Sequence, residues 1–186
     1  CLIENSMIDT LDGQKPIQFV RSGDMVRTRK GYKKVLWSGM TKMVNELVRI
    51  TFANGSVITG TPEHFVFCLF GSPDNIKGEG WFPLALLTEE FYGLSSSGCF
   101  DWIRVVKKEH LNWGDTPVYD LQVEDVPEFY CNGILVHNCL VTGTMVTTEN
   151  GLKSIEVVQK GERVLTRQGY REVEWSGQTK ITYKLA

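Results

Sequence analysis

Three places in this sequence combine reactive side chains with neighbours able to use them. The first is Cys1, a nucleophile once its thiol, with an ordinary pKa of about 8.5, is deprotonated. The second is "GTPEHFVF", Gly60 to Phe67, where Thr61 and His64 stand three apart beside a Pro62-Glu63 turn. Histidine titrates near neutrality and suits proton transfer. The third is "VYDLQVEDVPEFYCNGILVHNC", Val118 to Cys139, with Asp120 near its start and His137-Asn138-Cys139 at its end. An asparagine before a small nucleophile is a chemical weak point. Its side-chain nitrogen can attack its own backbone carbonyl, close a succinimide ring and cut the chain.

The elements that must position these groups read as strands and tight turns. Asn54-Gly55 separates "LVRITFA" from "SVITGT", and Asn132-Gly133 separates "PEFYC" from "ILVHN"; both pairs suit the positive-φ positions of a type I′ hairpin turn. Asp12-Gly13, matched by Asn150-Gly151, plays the same part between "SMIDTL" and "QKPIQFV". Helical periodicity is weak, with short candidates at Pro16–Arg21 and Phe82–Glu90. "GLSSSG", Gly93–Gly98, reads as a flexible exposed loop. These signals predict an all-β, mostly antiparallel fold with only short helices.

A shift of 138 residues lays Cys139–Ala186 over Cys1–Val48 without a gap, and 21 of the 48 positions are identical. The run Trp37-Ser38-Gly39 falls on Trp175-Ser176-Gly177. The chain is therefore one whole module, residues 1–138, followed by the first third of a homologous one, residues 139–186. The net charge of −2 argues against a strongly basic nucleic-acid surface. No apolar run reaches the roughly 18 residues of a membrane span, and no signal-peptide pattern opens the chain. With three histidines and no C-x-x-C pair among five cysteines, neither a structural zinc site nor a disulfide framework is expected.

In order, the N-terminal cysteine, the later "G-D-x-V" (Gly23 to Val26), the T-x-x-H box and the terminal "NGILVHNC" resemble the inteins, self-splicing modules of the Hint type. The resemblance covers residues 1–138 completely and residues 139–186 in the family's N-terminal section only. It implies a horseshoe-like antiparallel fold with pseudo-two-fold symmetry. It also implies roles. Cys1 attacks the preceding carbonyl in an N-to-S acyl shift. His64 protonates the departing amine, Thr61 binds the developing oxyanion, and Asp120 tunes Cys1. Cys139 takes over the upstream segment, and Asn138 then cyclises with help from His137. No metal or cofactor is implied, and the partners are the flanking extein segments, in cis or in trans. The module is expected in the cytoplasm, following its host protein. About fifty residues separate His64 from Asp120 and carry no homing-endonuclease signature, so this resembles a mini-intein.

With Cys1 first in the sequence, only Asn138 cleavage is expected of the chain as it stands. Pro127 replaces a histidine that many relatives carry in the last section, which leaves more of the cyclisation to His137 or to water. Two rival readings are a Hint domain that cleaves without ligating and a non-catalytic β-rich binding module. Residues 139–186 could compete with residues 1–48, so segment exchange and a domain-swapped dimer are a further expectation. Cys68, Cys99 and Cys131 read as packing residues, with a Cys131–Cys1 pairing as the weaker alternative for Cys131. His110 and Lys107-Lys108 read as surface, and Arg29, Lys30, Lys33 and Lys34 as a solvated face.

Overall fold

The alternation Val48-Arg49-Ile50-Thr51-Phe52 predicts one buried face. Val48, Ile50 and Phe52 are indeed buried, while Arg49 and Thr51 are partly exposed. The computed structural model describes residues 1–96, 101–138, 145–166 and 169–173, and the chain divides into two units, Cys1–Cys139 and Leu140–Ala186. Among its described residues the first unit holds twelve strands: β1 (Leu2–Ile3), β2 (Met7–Thr10), β3 (Gly13–Pro16), β4 (Met25–Thr28), β5 (Gly31–Phe52), β6 (Val57–Gly60), β7 (Phe65–Ser72), β8 (Asn75–Pro83), β9 (Phe91–Leu94), β10 (Trp102–Val123), β11 (Glu128–Cys131) and β12 (Ile134–His137). Every pairing among them is antiparallel.

The unit is built twice over. The hairpin β2–β3, a 3-10 turn at Ile17–Phe19, the short β4 and the 22-residue β5 form one succession. The hairpin β7–β8, a 3-10 turn at Leu84–Leu86, the short β9 and the 22-residue β10 repeat it. In each half the first strand also pairs the short one, Thr10 opposite Val26 and Cys68 opposite Gly93. The two long strands run against each other from Phe52–Val105 to Val35–Val123, and this pairing joins the halves. The β11–β12 hairpin bridges them again, Cys131 opposite Ile8 of β2 and Val136 opposite Val66 of β7. The expected all-β fold with pseudo-two-fold symmetry and short helical turns is what the chain adopts. One core cluster, including Leu2, Ile8, Ile50, Phe52, Leu121 and Phe129, runs through both halves. Burial of each such side chain is worth roughly 1.5–3 kcal/mol.

Two local expectations are corrected. Of the proposed type I′ turns only Asn132-Gly133 has two positive φ values, 47° and 76°. At Asp12-Gly13, Asn54-Gly55 and Asn150-Gly151 the glycine alone is left-handed, so these are turns closed by a single αL residue. The stretch Gly93–Ser95 is no exposed loop. Gly93 and Leu94 end β9, Ser95 bridges to Ile134, and all three are buried. A Cβ on Gly93 would stand 2.6 Å from the Phe52 ring, which is why the smallest residue lies there. Ser97 and Gly98 lie outside the described residues.

The second unit contains β13 (Met145–Thr148), β14 (Gly151–Ser154), a 3-10 turn at Ile155–Val157, β15 (Arg163–Thr166) and β16 (Gly169–Glu172). Each begins 138 residues after its counterpart β2, β3, Ile17–Phe19, β4 or β5. The polar ties recur as well. Lys15–Asp24 is matched by Lys153–Glu162, and Thr10 Oγ1 donating to Gly13 O by Thr148 Oγ1 donating to Gly151 O. The packing does not recur in full. Ile8, Ile17, Val26 and Val35 are buried, whereas Val146, Ile155, Val164 and Val173 are only partly so. Among its described residues the second unit has no counterpart of the strands β10 to β12.

Candidate functional site

Two strand registers converge on Cys1. Leu2 stands opposite Tyr119 of β10 on one side and opposite Gly60 of β6 on the other. Continuing each antiparallel register by one residue sets Cys1 between Asp120 and Thr61. β1 is only two residues long, so its hydrogen bonds to both neighbours hold the chain terminus. The Cys1 carbonyl accepts from Thr61 N at 2.9 Å. The chain then turns tightly, His64 N donating to Thr61 O at 2.9 Å, and this brings the imidazole back over Cys1. The 3-10 turn braces that corner through Leu84 N to His64 O, 2.8 Å, and Ala85 N to Pro62 O, 3.0 Å.

The result is a ring of three groups around one nitrogen. The Cys1 α-amine donates to His64 Nδ1 at 3.0 Å and to Thr61 Oγ1 at 3.2 Å, and lies 3.7 Å from Asp120 Oδ2. Cys1, Thr61, His64 and Asp120 are all buried. Asp120 is oriented by its own strand, Leu121 N donating to Oδ1 at 2.9 Å. The resemblance implies an oxyanion role for Thr61; here its hydroxyl accepts from the Cys1 nitrogen. Thr41 joins the site unannounced by any motif, its Oγ1 lying 3.2 Å from Cys1 Sγ.

Burial lowers the His64 imidazole well below its ordinary value, and the Cys1 ammonium and His137 add to the effect. Near pH 7 the imidazole is therefore neutral, with Nδ1 accepting from the Cys1 amine. Linkage gives this a sign. The folded-state pKa lies below the unfolded value of about 6.5, so the stabilisation is complete above that pH and is lost as pH falls through the folded pKa. Thermal unfolding is expected to move to lower temperature between pH 7 and pH 5, with a contribution from His64 of up to about 1.4 kcal/mol per pH unit. A His64→Gln variant should flatten that slope; equal slopes in both proteins would remove His64 as the titrating group.

The second cluster lies on β12. The register Val136 opposite Val66, continued by two residues, leads Asn138 toward His64 at the head of β7. His137 sits edge-on to Trp81, with ring centroids 4.9 Å apart, and to Phe65 at 6.3 Å. Burial lowers its imidazole below the ordinary value, opposed by the Asn138 backbone and by Glu128 across the hairpin. Asn138 is 7% exposed. Its backbone N–H donates to Pro127 O at 3.0 Å; its carboxamide, oriented to satisfy its neighbours, donates to the same oxygen at 2.8 Å and accepts from Val123 N at 3.1 Å. The position occupied by Pro127 thus supplies a carbonyl to Asn138. Cys139, the sequence-predicted acceptor, lies outside the described residues, as does Cys99.

Behind His137, Glu128 is 3% exposed and accepts from Arg29 Nε, Nη2 and backbone N at 2.6–3.1 Å. The Arg29 guanidinium also lies 4.2 Å over the Phe67 ring. Arg29 is exposed, as the reading of a solvated face expected, and it also serves Glu128, since a buried carboxylate needs a paired cation. Lys33 likewise pairs with Asp125 at 3.1 Å. Cys68 and Cys131 are free, buried thiols whose pKa burial raises, which fits packing. His110 is exposed as expected. Among the described residues no helix is long and apolar enough to cross a membrane.

A family model described as a Hint domain matches residues 138–186. No curated protein matches the chain in sequence. Among solved structures, the chain is similar to the gp41-1 intein, with 25% identity and a TM-score of 0.59 over 74% of this chain and 97% of that one. A bacterial intein-like domain from Clostridium thermocellum gives 24% identity and a TM-score of 0.60 over 74% and 97%. A DnaB intein from Synechocystis sp. PCC 6803 gives 19% and 0.58 over 75% and 98%.

Proposed function

We propose that this chain, an intein by its Hint fold, is a self-splicing mini-intein in residues 1–138, abutting the N-terminal section of a second one in residues 139–186. The observation that carries this reading is the ring of His64 Nδ1, Thr61 Oγ1 and Asp120 Oδ2 around the Cys1 nitrogen. An amide nitrogen has one hydrogen, an ammonium three. A site with three acceptors therefore favours the amine that leaves when the amide breaks, and favours it more as charge develops on nitrogen. That is the differential stabilisation an N-to-S acyl shift needs.

In the first step the Cys1 sulfur bonds to the carbonyl carbon of the preceding residue, and the C–N bond breaks. The proton lost by sulfur ends on the nitrogen, with His64 Nδ1 as carrier. The Cys139 thiol then displaces Cys1 from the thioester, so the upstream segment changes sulfurs. Asn138 cyclises next, its carboxamide nitrogen bonding to its own carbonyl carbon while the amine of residue 139 leaves with a proton. His137 polarises that carbonyl. A spontaneous S-to-N shift finishes the peptide bond between the exteins. Each chain reacts once, and the partners are its own flanks.

The test places reporter segments before Cys1 and after Cys139 in one polypeptide. Mass spectrometry should find the two reporters joined by a peptide bond and residues 1–138 released with a C-terminal succinimide or asparagine. Separated reporters with no joined product would favour the Hint domain that cleaves without ligating, and an unchanged mass would favour a binding module.

A further inference from the structure

We infer that Thr41 is a further catalytic residue of the Cys1 step, a hydroxyl that switches its one hydrogen to the sulfur as the thiolate forms. The assignment rests on the splicing reading for its role and on local geometry for its chemistry.

The pairing of the long strands slips at this point. Val118 stands opposite Lys42, and the next residue, Tyr119, stands opposite Met40, so Thr41 is the extra residue of a bulge in β5. A bulge costs ladder hydrogen bonds and re-aims a side chain, and bulges concentrate beside active sites for that reason. Here it aims Oγ1 at two atoms, Cys1 Sγ at 3.2 Å and Val118 O at 3.1 Å. A regular strand would leave Thr41 with a backbone partner and its side chain fixed by the pleat.

Both contacts cannot use the same hydrogen. With Cys1 protonated, the hydroxyl donates to Val118 O and its lone pair accepts the S–H. With Cys1 ionised, the hydroxyl turns and donates to sulfur, a charge-assisted bond stronger than the one it leaves. The hydroxyl therefore stabilises the thiolate more than the thiol. The proton that leaves sulfur is not kept by Thr41; in the net acyl shift it appears on the departing amine. His64, Thr61 and Asp120 surround the nitrogen and Thr41 meets the sulfur, so each atom that changes bonding has its own partner. The second module carries the same residue at the equivalent position, Thr179.

The test uses the full chain with an upstream reporter and compares wild type with Thr41→Val and Thr41→Ser. Two quantities are read against pH: reporter release by an added thiol, and Cys1 alkylation by iodoacetamide in the chain as it stands, located by peptide mass. Thr41→Val should slow reporter release roughly tenfold and raise the alkylation midpoint by about one pH unit, and Thr41→Ser should restore both. Asn138 cleavage at the wild-type rate in Thr41→Val shows that the fold is intact. Identical pH profiles in wild type and Thr41→Val would overturn the assignment, as would a loss that Thr41→Ser fails to restore. A wild-type chain that releases no reporter, with the alkylation midpoint still raised by Thr41→Val, would overturn the splicing reading and uphold the Thr41–sulfur switch.

Discussion

An Asn138→Ala chain is expected to remain whole at the bond after residue 138 under conditions in which wild type separates completely. In the proposed mechanism the side-chain nitrogen of Asn138 is the nucleophile, and alanine has none, so the loss is total rather than graded. The fold should survive. The substitution removes two side-chain hydrogen bonds, to Pro127 O at 2.8 Å and from Val123 N at 3.1 Å, while the backbone bond from residue 138 to Pro127 O remains. Leaving the Val123 N–H without its partner costs about 1–3 kcal/mol. With a reporter upstream of Cys1, the thioester steps should continue, so intermediates carrying the reporter on sulfur accumulate. Time-resolved intact mass distinguishes the cases. Cleavage after residue 138 in the alanine chain at anything near the wild-type rate would end the cyclisation reading.

The residue types at the candidate site were legible in the sequence because the chemistry dictates them. In the proposed steps the sulfurs of Cys1 and Cys139 and the side-chain nitrogen of Asn138 make the new bonds, so those residue types stand out in a sequence before any fold is known. The all-β class was legible too, from alternation and turn residues. What escaped was whatever depends on partners far along the chain. Arg29 is the exposed charge its sequence suggests, but its ion pair was not legible, because the carboxylate partner, Glu128, lies 99 residues away on another hairpin. Gly93 and Ser95 read as loop because "GLSSSG" has loop composition, whereas Phe52 and Ile134 bury that strand. Thr41 is one of the positions shared with the repeat, as Thr179, but its place beside Cys1 could not be read, since a bulge is a property of the register between two strands and leaves no local pattern. The Pro127 departure shows the same limit. Its side chain cannot donate a proton, yet its backbone carbonyl holds Asn138, a contribution any residue type can make.

Gly60→Ala is expected to slow thioester formation on the order of a hundredfold while leaving the fold in place. Gly60 carries no reactive group. It pairs with Leu2 and lets the Cys1 strand approach β6. A Cβ there would stand 2.6 Å from the Cys1 carbonyl oxygen and 3.3 Å from both Leu2 Cδ2 and Leu84 Cδ1. The two leucine tips can yield by a few tenths of an ångström. The carbonyl is backbone, tied to Thr61 N at 2.9 Å, so relief must come from moving Cys1 itself. Overpacking of this kind costs about 1–3 kcal/mol, which a strand otherwise paired on both sides tolerates. Its effect on chemistry is larger, because a shift of about 1 Å in a reacting group can cost roughly 10²-fold in rate. The nitrogen would leave its ring of His64, Thr61 and Asp120, and the sulfur would leave Thr41. Asn138 is held from the other side, by Pro127 O and Val123 N, so its cleavage should be slowed far less than thioester formation and serve as the internal measure of folding. Equal slowing of both reactions would mean that the alanine disturbs the module as a whole, and undiminished thioester formation would mean that the Cys1 strand is not held by this close approach.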